Sequence, residues 1–89
     1  MIRRRWPEWW NWDIELTPHV FKRMADRGFN EIDLRGMLER ARGYRPDIVD
    51  GRWLIVTRRR NTTWEVVVEP DTELTRLVVV TAYPLGETT

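Results

Sequence analysis

Residues 10–28 read WNWDIELTPHVFKRMADRG, and two periodicities meet inside them. Trp10, Trp12, Ile14 and Leu16 alternate with Asn11, Asp13 and Glu15, the two-residue period of a strand with one buried face. At Thr17-Pro18 the pattern changes. A threonine hydroxyl suits the N-cap of a helix, and proline at the first helical position has no amide to leave unpaired. A helix is therefore expected from about Pro18 to Arg27, ending at Gly28, whose left-handed backbone preference suits a helix stop. A strand feeding directly into a helix decides the class of fold.

Reading onward, Asn30 suits the N-cap of a second helix from about Glu31 to Arg42, with Asp33 near its positive end and Gly43 just past its stop. Ile32, Leu34, Met37, Leu38 and Ala41 make its apolar stripe. Gly36 inside it predicts that another backbone approaches closely there. From Tyr44 the period is that of strands: Tyr44 to Val49 extended, a turn at Asp50-Gly51, Arg52 to Arg59 returning antiparallel. A further turn at Arg60 to Thr62 leads to Thr63–Glu69, and Pro70-Asp71 opens the turn before Leu74–Tyr83. The order β-α-α-β-β-β-β predicts an α+β fold, a two-helix hairpin packed on one face of a twisted, mostly antiparallel sheet. The opposite sheet face is then the place to look for function. With 89 residues the chain reads as a single domain: an arm rich in tryptophan and arginine over about 1–9, a compact core over about 10–84, and a short tail over 85–89.

Reading backward, Arg3, Arg4 and Arg5 precede Trp6, Pro7, Glu8 and Trp9. Trp10 and Trp12 are expected on the core side of the first strand. Trp6 and Trp9, with the three arginines, have no such use and suit a partner or dimer contact, since aromatic residues concentrate at interfaces. A membrane-surface helix is disfavoured, because Pro7 and the alternation from Trp10 oppose a single apolar face.

Composition narrows the chemistry. No apolar run nears the roughly 20 residues of a membrane-spanning helix, and the arginines are not followed by the apolar segment of a signal peptide, so a cytoplasmic protein is expected. There is no cysteine and one histidine, which leaves no disulfide framework and makes a closed zinc site implausible; neither metal nor cofactor is expected. Net charge is only +1, so bulk electrostatics does not announce a nucleic-acid partner. Of the 15 basic residues, however, only Lys22 is not arginine, and arginine favours planar contacts with phosphate or carboxylate.

His19 is the one side chain whose ordinary pKa suits proton transfer near neutrality. His19, Arg23 and Arg27 are four residues apart and share one stripe of the first helix, either a proton-transfer group beside an anion-binding pair or a solvated charged face. In the last strand Thr81 and Tyr83 point to the same side and bring two hydroxyls together. Glu65, the acidic residue within the apolar run Trp64–Val68, reads as a general base, an arginine partner or, most simply, the solvent side of an amphipathic strand. Arg58, Arg59 and Arg60, with Arg52, form either a phosphate-guiding patch or an ordinary basic hairpin tip. A glycine-rich phosphate loop, metal-ligand spacing and a nucleophile elbow are all absent from the sequence.

ELTPHVFKRMADRGFNEIDLRGML, followed by DGRWLIVTRR, TWEVVVEP and LVVVTAYP, resembles the small bacterial family called domain of unknown function 4258. The resemblance spans about residues 14–84. Its most specific parts are His19, Arg23, Arg27 and Gly28 in the pattern H-x3-R-x3-RG, and Val79 to Tyr83 as VVTAY. It implies the layout of the barnase, EndoU, colicin and RelE-like fold group, a helical hairpin before a curved antiparallel sheet, many of whose members are metal-independent RNA-cleaving toxins. By that analogy His19 is the acid or base, Arg23 and Arg27 hold phosphate, and Thr81 and Tyr83 orient the substrate. Two function classes are expected: a toxin-like endoribonuclease acting on RNA by 2′-hydroxyl attack, with Glu65, Tyr83 or an arginine available for the second proton transfer; or, from the amino-terminal aromatic residues, a non-catalytic module that binds a protein partner, antitoxin-like or a second copy of itself.

Overall fold

The computed structural model describes residues 6–86; Arg3, Arg4 and Arg5, expected beside a partner contact, and the tail from residue 87 lie outside the described residues. A 3-10 turn at Glu8–Asn11 precedes β1 (Asp13–Leu16), α1 (Pro18–Arg27), α2 (Glu31–Glu39), β2 (Gly43–Pro46), β3 (Trp53–Arg59), β4 (Thr62–Asp71) and β5 (Arg76–Pro84). The strands form one sheet in the order β1-β5-β4-β3-β2, with β1 parallel to β5 and the other pairs antiparallel. The fold is α+β, as the element order predicts.

The strand-to-helix junction forms as its chemistry dictates. The Thr17 hydroxyl accepts the Val20 amide, Pro18 occupies the first turn, and Gly28 ends α1 with φ of 69°. The same hydroxyl also donates to the carbonyls of Val79 and Val80, at 2.9 and 3.1 Å, so one side chain both starts α1 and fastens it to β5. Asn30 and Asp33 exchange side-chain and backbone hydrogen bonds in a capping box that starts α2.

Three local expectations are corrected. The alternation expected from Trp10 begins at Asp13, because residues 7–12 coil, with the Trp10 amide on the Pro7 carbonyl and the Trp12 amide on that of Trp9. In an extended chain Trp9 and Trp10 would face opposite ways; coiled, Trp9 packs beside Trp53 and Tyr44 at centroid separations of 5.9 and 6.1 Å, while Trp10 stacks on Trp6 at 4.3 Å. Second, α2 stops at Glu39 rather than Arg42, and Gly43 begins β2 instead of ending the helix. The Ala41 amide turns to the Leu38 carbonyl, and the buried Thr57 hydroxyl donates to the carbonyl of Met37. Third, no backbone crowds Gly36: a Cβ there would meet the Arg40 guanidinium, 3.0 Å away.

The helices and the tryptophan turn all cover one face of the sheet. Val20, Met24, Phe29, Leu34, Met37 and Leu38 meet Ile55, Trp64, Val66, Val68, Leu77, Val79 and Ala82 from the strands, with Trp9 in the same cluster and Trp10 and Trp12 packed against it. Trp9 is thus a core residue, 9% exposed, and not the partner contact expected of it. Burying its indole within the chain satisfies the aromatic surface that suggested an interface.

Candidate functional site

Strand alternation fixes which side chains reach the uncovered face. Ile55, Val66 and Ala82 are aligned across β3, β4 and β5 and buried beneath the helices, so their neighbours Val56, Glu65 and Tyr83, also aligned, point the other way. A register shift between Val67 and Val68 keeps Thr81 on this outer face, opposite Val67, while Val79 faces the core opposite Val68. On β2 Tyr44 packs against the core and Arg45 therefore faces outward.

Three of these side chains converge. Glu65 is 6% exposed. Its Oε2 accepts a hydrogen bond from an Arg45 Nη at 2.7 Å and its Oε1 accepts one from the Tyr83 hydroxyl at 2.8 Å. Arg45 reaches across β3 to make its bond, and its side chain remains 52% exposed. Burial pushes the Tyr83 phenol up to about 12, helped by the hydrogen bond to Glu65, by that carboxylate's charge and by Asp47 at the end of β2, against an opposing pull from Arg45. Tyr83 is therefore a fixed hydrogen-bond donor at neutral pH. Glu65 is a localised acceptor, and the half-exposed guanidinium offers positive charge toward solvent.

Thr81 and Tyr83 share the outer face as the alternation requires, and the Thr81 Oγ1 is buried without a hydrogen-bond partner among the described residues. Glu65, expected most simply on the solvent side, does face away from the core, yet it is buried by its partners on the sheet surface. His19 is exposed in the first turn of α1, and Arg23 and Arg27 are half-buried along the same helix. The Nε of Arg23 is buried without a partner among the described residues. Among those residues no hydrogen bond joins His19 or Arg23 to Thr81 or Tyr83; what connects α1 to that strand is the Thr17 tether to the two residues preceding Thr81.

The four arginines read as one phosphate-guiding patch are divided between the two ends and the two faces of the sheet. Arg52 pairs with Glu69 at 3.1 Å near the far end of β4. Arg59 lies on the helix side, 10% exposed, where it bonds the Gly28 carbonyl, pairs with Asp33 at 3.6 Å and sits over the Trp64 ring. Arg58 and Arg60 are exposed, Arg60 in a two-residue turn with Asn61 where both residues have positive φ. Arg45 and Asp47 escaped the sequence reading. Arg45 could have been found from alternation, since Tyr44 is its inward neighbour; Asp47 acts on Tyr83 from 36 residues away in the chain, which leaves no local signal.

A separate cleft of about 270 Å³, lined by Trp10, Trp12, Ile14, Arg35 and Leu38 among others, lies on the helix side of the sheet. It contains none of the converging polar groups. Among the described residues no three His, Asp or Glu side chains are grouped to hold a metal ion, and no helix is long and apolar enough to cross a membrane. Comparison of the chain with protein-family models, curated proteins and solved structures finds no match.

Proposed function

We propose that the protein is a metal-independent endoribonuclease whose reacting centre is the outer sheet face around Glu65. The observation that carries this reading is the Arg45–Glu65–Tyr83 cluster: a buried carboxylate held between a half-exposed guanidinium and a neutral phenol on a face that neither helix covers. In the proposed reaction Glu65 accepts the proton of a ribose 2′-hydroxyl, and the 2′-oxygen attacks the adjacent phosphorus. The Arg45 guanidinium stabilises the added negative charge, and the 5′-oxygen leaves with a proton, giving a 2′,3′-cyclic phosphate and a 5′-hydroxyl. Tyr83 holds the carboxylate in place and Thr81 orients the phosphate.

His19 is assigned the leaving-group proton. Supporting this is the Thr17 tether, which holds the start of α1 against the carbonyls of Val79 and Val80, next to Thr81. Arg23 and Arg27 on the same helix then hold the neighbouring phosphate, a role favoured by the buried, unpartnered Arg23 Nε. The resemblance of the H-x3-R-x3-RG and VVTAY patterns to the family of unknown function supports this only by analogy with the wider fold group.

The test is cleavage of a labelled single-stranded RNA by purified protein in the presence of a chelator, with product ends identified. Glu65→Gln is expected to lower the rate by roughly 10²- to 10⁴-fold, the usual worth of a positioned proton-transfer group, and His19→Ala by a similar factor. A wild-type protein that leaves the RNA intact, or a Glu65→Gln protein as active as wild type, refutes the assignment.

A second reading, a protein-binding or self-associating module, rests on the uncovered apolar positions flanking the cluster: Leu54, Val56, Val78 and Val80 are all only half-buried. An antitoxin-like partner and a second copy are the candidate occupants. Sizing chromatography of wild type and Val56→Lys separates these from the nuclease reading, because a monomer at all concentrations with no bound partner removes the support for association.

A further inference from the structure

The net charge of +1 conceals a separation of charge along the sheet. Among the described residues ion pairs engage Arg35, Arg45, Arg52, Arg59 and Arg76. Arg40, Arg42, Arg58 and Arg60 are exposed and carry no carboxylate partner among the described residues. These unpaired arginines gather at one end of the sheet. Arg58 faces Thr63 just before the β3–β4 turn that holds Arg60, the Arg42 amide bonds the Val56 carbonyl on the adjoining stretch of β3, and an Arg40 Nη lies 3.4 Å from the Arg58 carbonyl. The opposite end carries acids without arginine partners among the described residues. Asp47 accepts the Ile48 amide, Asp71 accepts those of Glu73 and Leu74, and Asp50 and Glu73 are exposed in the same two loops.

Glu65 sits in the half of β4 nearer the arginine end, and Arg58 is on its face of the sheet, cross-strand from Thr63 and so roughly 7 Å along from Glu65. We infer that single-stranded RNA lies over the arginine end only, its phosphates neutralised by Arg58, Arg60 and Arg42 with Arg40 beside them, and is repelled from the end bearing Asp47, Asp50, Asp71 and Glu73. The footprint thus extends from the Glu65 cluster in one direction along the sheet. Arg52 and Arg59 take no part, their charges being spent on Glu69 and Asp33. The inference rests on the nuclease reading for where the strand leads, but the affinity itself requires no cleavage.

The experiment measures fluorescence anisotropy of a labelled 2′-O-methyl oligouridine, which cannot be cut by 2′-attack, across a salt series. Each phosphate contact on a single strand contributes about 0.7 to the slope of log K against log salt. Arg58→Ala with Arg60→Ala should flatten that slope by about 1.4 and weaken binding at every salt concentration. Arg52→Ala with Arg76→Ala removes the same formal charge from the opposite end and should leave the slope unchanged. Equal effects from the two pairs, or a wild-type protein that does not bind the oligonucleotide, overturn the inference. Circular dichroism of each variant excludes misfolding as the cause of weaker binding. Arginine-dependent binding by a wild-type protein that cuts no RNA upholds the inference while removing the nuclease reading.

Discussion

Replacing Arg45 with alanine tests whether the polar cluster is a coupled unit. Glu65 would keep its hydrogen bond from Tyr83 but lose its ion-pair partner among the described residues, with its side chain just 8% exposed. Breaking a fully buried ion pair from one side costs about 3–5 kcal/mol, since the surviving charge stays desolvated. Arg45 is itself 52% exposed, so water already screens it and can partly replace it. That discount brings the expected loss to about 1–2 kcal/mol, nearer the range of exposed pairs than of buried ones. For a domain of this size about 1 kcal/mol lowers the melting temperature by roughly 4–8 °C, so Arg45→Ala should melt about 5–15 °C below wild type. Thermal and urea unfolding measure it. In a Glu65→Gln background the charge to be stranded is gone, and the same substitution should cost under about 0.5 kcal/mol, leaving a coupling energy near 1 kcal/mol. Added salt should shrink the coupling, because one partner faces solvent. A neutral Arg45→Ala, or equal costs in the two backgrounds, would show that Glu65 is not held by this guanidinium.

Tyr83 gives a pH signature. Its folded pKa of about 12 lies above the ordinary 10, so the protonated phenol is favoured in the folded state; the stability it contributes is complete below pH 10 and is lost as pH rises toward 12. Ultraviolet titration should find a tyrosine ionising near pH 12 that Tyr83→Phe removes, and ionisation near pH 10 instead would contradict the geometry. Thr57→Val keeps the shape of a fully buried side chain but strips the hydroxyl from the Met37 carbonyl; about 1–2 kcal/mol of destabilisation in urea is expected, and a neutral result would show that the carbonyl finds another donor. Trp9→Ala should cost about 3–5 kcal/mol by emptying a core position, out of the 5–15 kcal/mol typical of a whole domain. Unchanged stability, with a change in oligomeric state alone, would return Trp9 to the interface role suggested by its sequence context.

The elements were legible where local chemistry alone decides them. Thr17-Pro18, Gly28 and the Asn30 cap act within a few residues of themselves, and each does what its side chain dictates. The errors fall where a distant contact overrides the local pattern. Trp10 to Leu16 alternates without a break, yet the chain coils until Trp12 because Trp9 finds Tyr44 and Trp53, more than thirty residues away, as packing partners. The end of α2 moves for the same kind of reason: Ala41 and Arg42 continue a plausible helix, but the carbonyl of Met37 is taken by Thr57 of β3, and Arg42 is drawn to the Val56 carbonyl. Gly36 misled in a third way. A glycine inside a helix indicates that something lies close, without saying whether it is backbone or, as here, a long side chain from the next turn.

The candidate site follows the same division. Thr81 and Tyr83 share a strand, so a two-residue period sufficed to pair them, because the extra residue of the register shift, Val80, precedes both. Glu65 and Arg45 lie on β4 and β2 with β3 between them; their meeting depends on two registers together, Arg45 opposite Leu54 and Val56 opposite Glu65, and on an arginine side chain long enough to reach over β3. The first register lies within ten residues of Arg45, but the second, which brings Glu65 beside it, does not. What the sequence offered instead was the run Arg58-Arg59-Arg60, and proximity in the chain proved a poor guide to proximity in space. Successive strand residues point to opposite faces, so Arg58 and Arg59 cannot serve one patch. Arg59 is consumed by Asp33 and Trp64, while Arg58 joins Arg40 and Arg42 from the end of α2 and its connection to β2. A chain with near-zero net charge can therefore present a strongly polarised surface. It needs only that its ion pairs form at some positions and leave its remaining arginines together at another.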